Sequence, residues 1–217
     1  ASPQQLGADG PFIGRIATRV FADDDVVVKR RVEYESTGVG PVRWIEGRVA
    51  RERRLGVYPA DRTWFVLEKG PAGTRSVGCA SLRRRPAHLW DDTELLRDWE
   101  PFVRGFLALY LRAAADGWRL DEGLSNFAWD DARELRYLDD DLYTWDHGVS
   151  LAHALPVLAR RRPVLGPEQG ALLGDLLRDA LRAAPVALDT RVLASDLRTA
   201  ASLDSRPAGG GFLSAIA

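Results

Sequence analysis

Near residue 85 the periodicity of the chain changes, and that change limits its fold more than any other feature. Before it, short β-branched runs alternate with turn signals. After it, apolar residues recur at helical spacing over long stretches. Residues 15–21 (RIATRVF) and 26–32 (VVVKRRV) flank Ala22-Asp23-Asp24-Asp25, which predicts a hairpin with a bland, solvated acidic turn. Residues 35–41 read as a loop. From Val42 to Leu55 an amphipathic helix is expected, with Val42, Ile45 and Val49 on its packed face and Arg43, Arg48, Arg51, Arg53 and Arg54 around them. Strands at 63–68 and 75–82 surround the turn Gly70-Pro71-Ala72-Gly73.

The basic linker Arg83-Arg84-Arg85-Pro86 closes this half. Over residues 93–115, Leu95, Trp99, Phe102, Val103, Phe106, Leu109 and Tyr110 share one stripe, as in a long buried helix. Pro101 either kinks that helix or marks its start. Short strands and tight loops are expected over 118–143, then helices near 146–161, 167–183 and 189–201, and a flexible tail at 207–211. The order predicts an α+β fold of two lobes. Residues 1–82 form an antiparallel sheet with one helix, and residues 83–217 form a mostly helical lobe. A cleft between two lobes is a common place for a ligand.

Composition excludes several classes. With 46% hydrophobic and 28% charged residues, the chain is globular and not disordered. Thirty basic against 31 acidic groups leave a net charge of -1, so no global field draws nucleic acid or a membrane surface. The arginine groups 51–54, 83–85 and 160–162 have no aromatic interleaving and read as solvated surface. One cysteine, Cys79, rules out an intrachain disulfide and fits a reducing compartment. No apolar run nears the roughly 20 residues of a membrane span. The residues ASPQQLGADG lack the pattern of a signal peptide, so a cytoplasmic location is expected. There is no P-loop and no Rossmann fingerprint. Gly148-Val149-Ser150-Leu151-Ala152 has its only later histidine, His153, three residues past the serine, too close for an α/β-hydrolase. Three scattered histidines offer no zinc site.

Residue usage then points to candidates. Of the 30 basic residues only Lys29 and Lys69 are lysine, and Asn126 is the sole asparagine. In an arginine-rich chain a retained lysine marks a place where a compact ammonium differs from a rigid fork. Lys29 closes the strand Val26-Val27-Val28, and the bland alternative is an edge-strand lysine with a solvated head. Asp121 stands five residues before Asn126, and Asp139 follows Asn126 by 13 residues at the end of the strand-like Leu135-Arg136-Tyr137-Leu138.

This series of a strand lysine, a helix glutamate, D-x-x-x-x-N and a later aspartate resembles the protein-kinase-like superfamily, over roughly residues 15–150. The resemblance implies that Lys29 holds the α- and β-phosphates of ATP. Glu52, or Glu46, would pair with Lys29 from the helix. Asp121 would accept the proton of a substrate hydroxyl, and Asn126 with Asp139 would hold Mg2+. Asp146 resembles the aspartate that anchors the catalytic loop, and also suits a helix N-cap. The residue types fit these roles, because magnesium takes hard oxygen ligands and phosphoryl transfer depends on positioning and charge neutralisation.

The sequence also departs from the family. Arg119-Leu120-Asp121 stands where H-R-D would, and Asp139-Asp140-Asp141 where D-F-G would. Residues 7–14 lack G-x-G-x-x-G. Only seven positions lie from Asp139 to Asp146, too few for a peptide-docking activation segment. The expected activity is therefore transfer of the γ-phosphate of Mg-ATP to a hydroxyl of a small molecule, as in aminoglycoside, sugar or lipopolysaccharide kinases. The alternatives are a pseudokinase binding a nucleotide or a protein partner, and a minimal protein kinase.

Overall fold

The computed structural model describes residues 4–6, 18–31, 34, 38–69, 76–84, 98–160, 167–184, 191 and 195. The glycine-poor stretch 7–14, the turn at 70–73, residues 85–97, most of the helix expected at 189–201 and the tail at 207–211 lie outside the described residues. The chain divides into two compact units, Ala1–Ala87 and His88–Ala217. It mixes α and β structure, and all its described strand pairs are antiparallel.

In the first unit, β1 (Gln4–Leu6), β2 (Thr18–Ala22), β3 (Val26–Arg31), β4 (Thr63–Lys69) and β5 (Ser76–Arg84) form a five-stranded sheet in the order β1-β2-β3-β5-β4. The β2–β3 hairpin closes through Asp23, whose Oδ1 accepts from the amides of Asp25 at 2.9 Å and Val26 at 2.8 Å. Those two bonds hold the Asp23 carboxyl below its usual pKa, so this acid serves the turn. Lys29 pairs with Val20 on one side and Ser81 on the other. It therefore sits on an interior strand, which overturns the edge-strand alternative.

Helix α1 (Pro41–Arg54) starts with proline at its first position, where a missing N–H costs no helical bond. It ends at Gly56, whose φ of 67° takes the left-handed conformation that costs glycine least. The packed face differs from the expected one at Val42 and at Glu52. Val42 is 59% exposed, whereas Glu52 is the buried residue of the helix. Ile45 and Val49 are half-buried as expected, and so are Trp44 and Arg48, with Trp44 edge-on to Tyr34 at 5.6 Å and Trp64 at 5.9 Å. The packed face therefore extends past Ile45 and Val49 to take in Trp44 and Glu52 and leaves Val42 outside, because an aromatic has more surface to bury than a valine at the helix start.

In the second unit, α2 (Trp99–Ala115) carries the core. Trp99, Phe102, Phe106 and Tyr110 form a ladder with successive ring centroids 6.2, 6.0 and 5.7 Å apart. Phe127 packs edge-on against Phe106 at 5.3 Å. Pro101 falls in the first turn of α2, so it marks the start of the helix and kinks nothing. Two small ribbons follow, β6 (Trp118–Leu120) with β9 (Leu142–Thr144), and β7 (Phe127–Trp129) with β8 (Leu135–Tyr137). Helices α3 (Val149–Arg160) and α4 (Pro167–Ala183) complete the unit, and α2 packs on β6, β8 and α4.

The α2–β8 packing depends on Gly105. A Cβ there would stand 2.9 Å from Leu135 Cβ. Gly105→Ala would gain about 1 kcal/mol of helix propensity but incur about 1–3 kcal/mol of overpacking. The clash is with the base of a side chain, which cannot swing away. A lower urea midpoint is expected for this variant, and a raised midpoint would mean that α2 and β8 have room to part.

Candidate active site

Asp121 and Asn126 lie in the loop from β6 to β7. Leu120 is fully buried and pins the end of β6, so Asp121 emerges at a fixed point. Its Oδ1 accepts from Gly123 N at 3.0 Å and from Asn126 Nδ2 at 2.7 Å. A 3-10 turn (Leu124–Asn126) closes the loop, with Asn126 N donating to Gly123 O at 2.9 Å. Tyr143 OH donates to Asp121 Oδ2 at 3.4 Å. Because the Asn126 amide nitrogen faces Asp121, its Oδ1 is the end left to meet a cation.

Asn126 is joined to the later aspartate through the backbone. Its carbonyl accepts from Leu138 N at 2.7 Å, and Asp139 is the next residue. Asp139 Oδ1 accepts from Asp140 N at 2.8 Å. One carboxylate oxygen from each of Asp139, Asp140 and Asp141 lies within 4.8 Å of the others, and Asp140 is buried. The sequence reading named Asp139 alone from this triplet. Oxygen-only donors of this kind suit Mg2+, so the residues present fit the ion that the resemblance implies.

Beneath the loop stands Tyr137, which sequence reasoning missed. Its hydroxyl donates to the carbonyl of Asp141 at 2.8 Å and accepts from the amide of Asp121 at 3.0 Å. Burial, with Asp139, Asp121 and Asp141 around it, pushes its pKa well above the ordinary tyrosine value. The available signal was the strand-end position of Tyr137, two residues before Asp139, but a tyrosine there reads equally as core.

A second network holds the loop from the side. Arg119 Nη1 lies 3.3 Å from Glu122 Oε1, its Nε lies 3.4 Å from Asp146 Oδ2, and its guanidinium covers the Tyr143 ring at 4.3 Å. Tyr110 OH donates to Glu122 Oε1 at 2.6 Å. Burial raises the pKa of Glu122, against the hydrogen bond from Tyr110 and the charge of Arg119. Asp146 also caps α3, accepting from Ser150 N at 3.1 Å and from Ser150 Oγ. The helix expected from residue 146 thus begins at Val149, and Asp146 both caps it and meets Arg119, two residues before Asp121.

The first unit holds the other two candidates. Lys29 is half-buried on β3, and Glu52 is 1% exposed, while Glu46 is exposed. The direct partner of Glu52 is Arg62, which bonds its Oε2 and is itself buried. Sequence reasoning missed Arg62, which sits in an irregular segment between α1 and β4. Burial raises the Glu52 pKa, and the charges of Arg62, Arg48, Arg31 and Lys29 oppose that rise, in falling order. Its Oε1 is buried and accepts no hydrogen bond.

No protein-family model and no curated relative matches the chain. Among solved structures it is similar to WbdD bound to the kinase inhibitor LY294002, at 16% identity and a TM-score of 0.41, over 84% of this chain and 49% of that one. It is likewise similar to the bifunctional kinase-methyltransferase WbdD, at 16% identity and a TM-score of 0.40, over 87% of this chain and 50% of that one. The chain spans about half the length of these structures. Among the described residues, no helix is long and apolar enough to cross a membrane.

Proposed function

We propose that this protein is a two-lobed, protein-kinase-like phosphotransferase that moves the γ-phosphate of Mg-ATP to a hydroxyl of a small molecule, a sugar or a sugar-containing compound. One observation carries the reading. Asp121 and Asn126, five residues apart, share a 2.7 Å hydrogen bond, and the carbonyl of the same asparagine binds the residue before Asp139. A carboxylate base, an amide oxygen and a carboxylate are thereby held in one backbone unit.

In this reading Asp121 accepts the proton of the acceptor hydroxyl as its oxygen attacks phosphorus. The Gly123 amide and Asn126 Nδ2 both bind Oδ1, which fixes the direction of the carboxylate. Asn126 Oδ1 and Asp139 would hold Mg2+, which when bound neutralises charge on the phosphate oxygens. Lys29 would bind the α- and β-phosphates, with Glu52 as its partner from the helix. Seven positions from Asp139 to Asp146 leave no peptide-docking segment, which favours a small acceptor over a protein.

The test is release or transfer of labelled γ-phosphate by the full chain against a panel of sugars and aminoglycosides, with Mg2+ and with the ion chelated. Magnesium-dependent transfer supports the proposal. A second reading, a pseudokinase that binds nucleotide or a protein partner, has its own observation: Arg62 already occupies one oxygen of Glu52. Magnesium-dependent ATP binding with no transfer to any acceptor would select it. Labelled phosphate entering proteins instead of small molecules would select a minimal protein kinase.

A further inference from the structure

We propose that Tyr137 is a positioning residue whose hydroxyl ties the loop bearing Asp121 to the loop bearing Asp139–Asp141, so that base and metal ligands are placed as one unit. The inference rests on the phosphotransfer reading above. Tyr137 touches none of the atoms that would react. It accepts from the Asp121 amide at 3.0 Å and donates to the Asp141 carbonyl at 2.8 Å, across 16 residues of chain on one side and four on the other.

The geometry requires a neutral phenol, because a phenolate could not donate to a carbonyl. The ring is fixed by packing, with its centroid 5.4 Å from that of Phe127, which in turn lies on Phe106 of α2. The hydroxyl is thus carried on the aromatic core and cannot follow either loop if one moves alone. The D-x-x-x-x-N loop has its own internal bonds, and the acidic triplet has the Asp139–Asp140 turn. The Asn126–Leu138 backbone bond and the β6–β9 ladder, with Leu120 opposite Leu142, join the two through the backbone, and Tyr137 adds a side-chain link carried on the core.

Tyr137→Phe keeps the ring and removes only the link. Two readouts follow. Without nucleotide or metal, exchange of the Asp121 amide proton should quicken by about tenfold, as one lost hydrogen bond allows. In transfer assays kcat should fall by about 10- to 100-fold, and the Mg2+ concentration for half-maximal rate should rise, with KM for ATP little changed. Leu173→Ala, in the core on α4, is the control: it should lose stability yet keep kcat wherever it remains folded. Unchanged exchange at Asp121 would overturn the link. So would a Tyr137→Phe enzyme with wild-type kcat and Mg2+ dependence, or a Leu173→Ala enzyme that loses kcat equally while folded. A wild type that transfers no phosphate would instead defeat the phosphotransfer reading, and the exchange result would still decide whether Tyr137 joins the two loops.

Discussion

Asp121→Asn is expected to reduce phosphoryl transfer by about 10²–10⁴-fold while leaving the fold intact. The amide oxygen of the new side chain can still accept from Gly123 N and from Asn126 Nδ2, the two bonds that shape the loop. What it cannot do is take a proton. Asp121→Ala removes both functions, so the comparison separates base from scaffold. Asp139→Ala acts on the other partner. It removes a carboxylate from the acidic triplet and should both lower the rate and raise the Mg2+ requirement, since few protein ligands hold that ion. Thermal melting and labelled-phosphate transfer on the same preparations check the pair. If Asp121→Asn and Asp139→Ala both transfer phosphate at the parent rate, these residues are not the machinery and the proposal fails.

Arg62→Ala should produce the largest loss of stability, about 3–5 kcal/mol, because it strands a carboxylate in the interior. Glu52 is 1% exposed and Arg62 5% exposed, and the remaining Glu52 oxygen accepts no hydrogen bond. The effect should depend on pH, in a direction set by the raised Glu52 pKa. A carboxyl whose folded pKa lies above its unfolded value binds its proton more tightly when folded. The stability it contributes is full below the unfolded value and is lost as pH rises through the folded one. Loss of Arg62 removes the leading charge that opposes the rise, so the folded value climbs further. The variant should therefore be most impaired at neutral and alkaline pH and recover partly in acid. Adding Glu52→Gln should restore part of the loss at pH 7.5. Urea unfolding at pH 5 and pH 7.5 measures this, and an equal loss at both values would show that the cost is lost packing of the arginine stem.

Much of the candidate site was legible by counting. The intervals Asp121–Asn126 and Asn126–Asp139 depend only on the length of a tight loop and a two-stranded ribbon, and the ribbon β7–β8 fills that space as its alternating apolar residues demand. The interior place of Lys29 was not legible, because a strand's neighbours are chosen by long-range pairing and the sheet order β1-β2-β3-β5-β4 leaves no local trace. Nor was Arg62. An arginine in a turn reads as solvated, and only the buried carboxylate from α1 explains it.

Hydrophobic periodicity determined, from the sequence alone, the strand-rich first part, the position of α2 and the helical second part, since burial of apolar surface is a local demand repeated at 2.0 or 3.6 residues. Residue identity and spacing determined the candidates Lys29, Glu52, Asp121, Asn126 and Asp139. Tertiary structure decided that Glu52 of α1 turns inward, that Arg62 meets it, and that Tyr137 bridges Asp141 and Asp121, the latter 16 residues before it. Those choices rest on hydrogen bonds and charge pairs between distant segments. Such a bond gains its value only once burial has removed water from both partners, and burial of that kind exists only after the chain has folded.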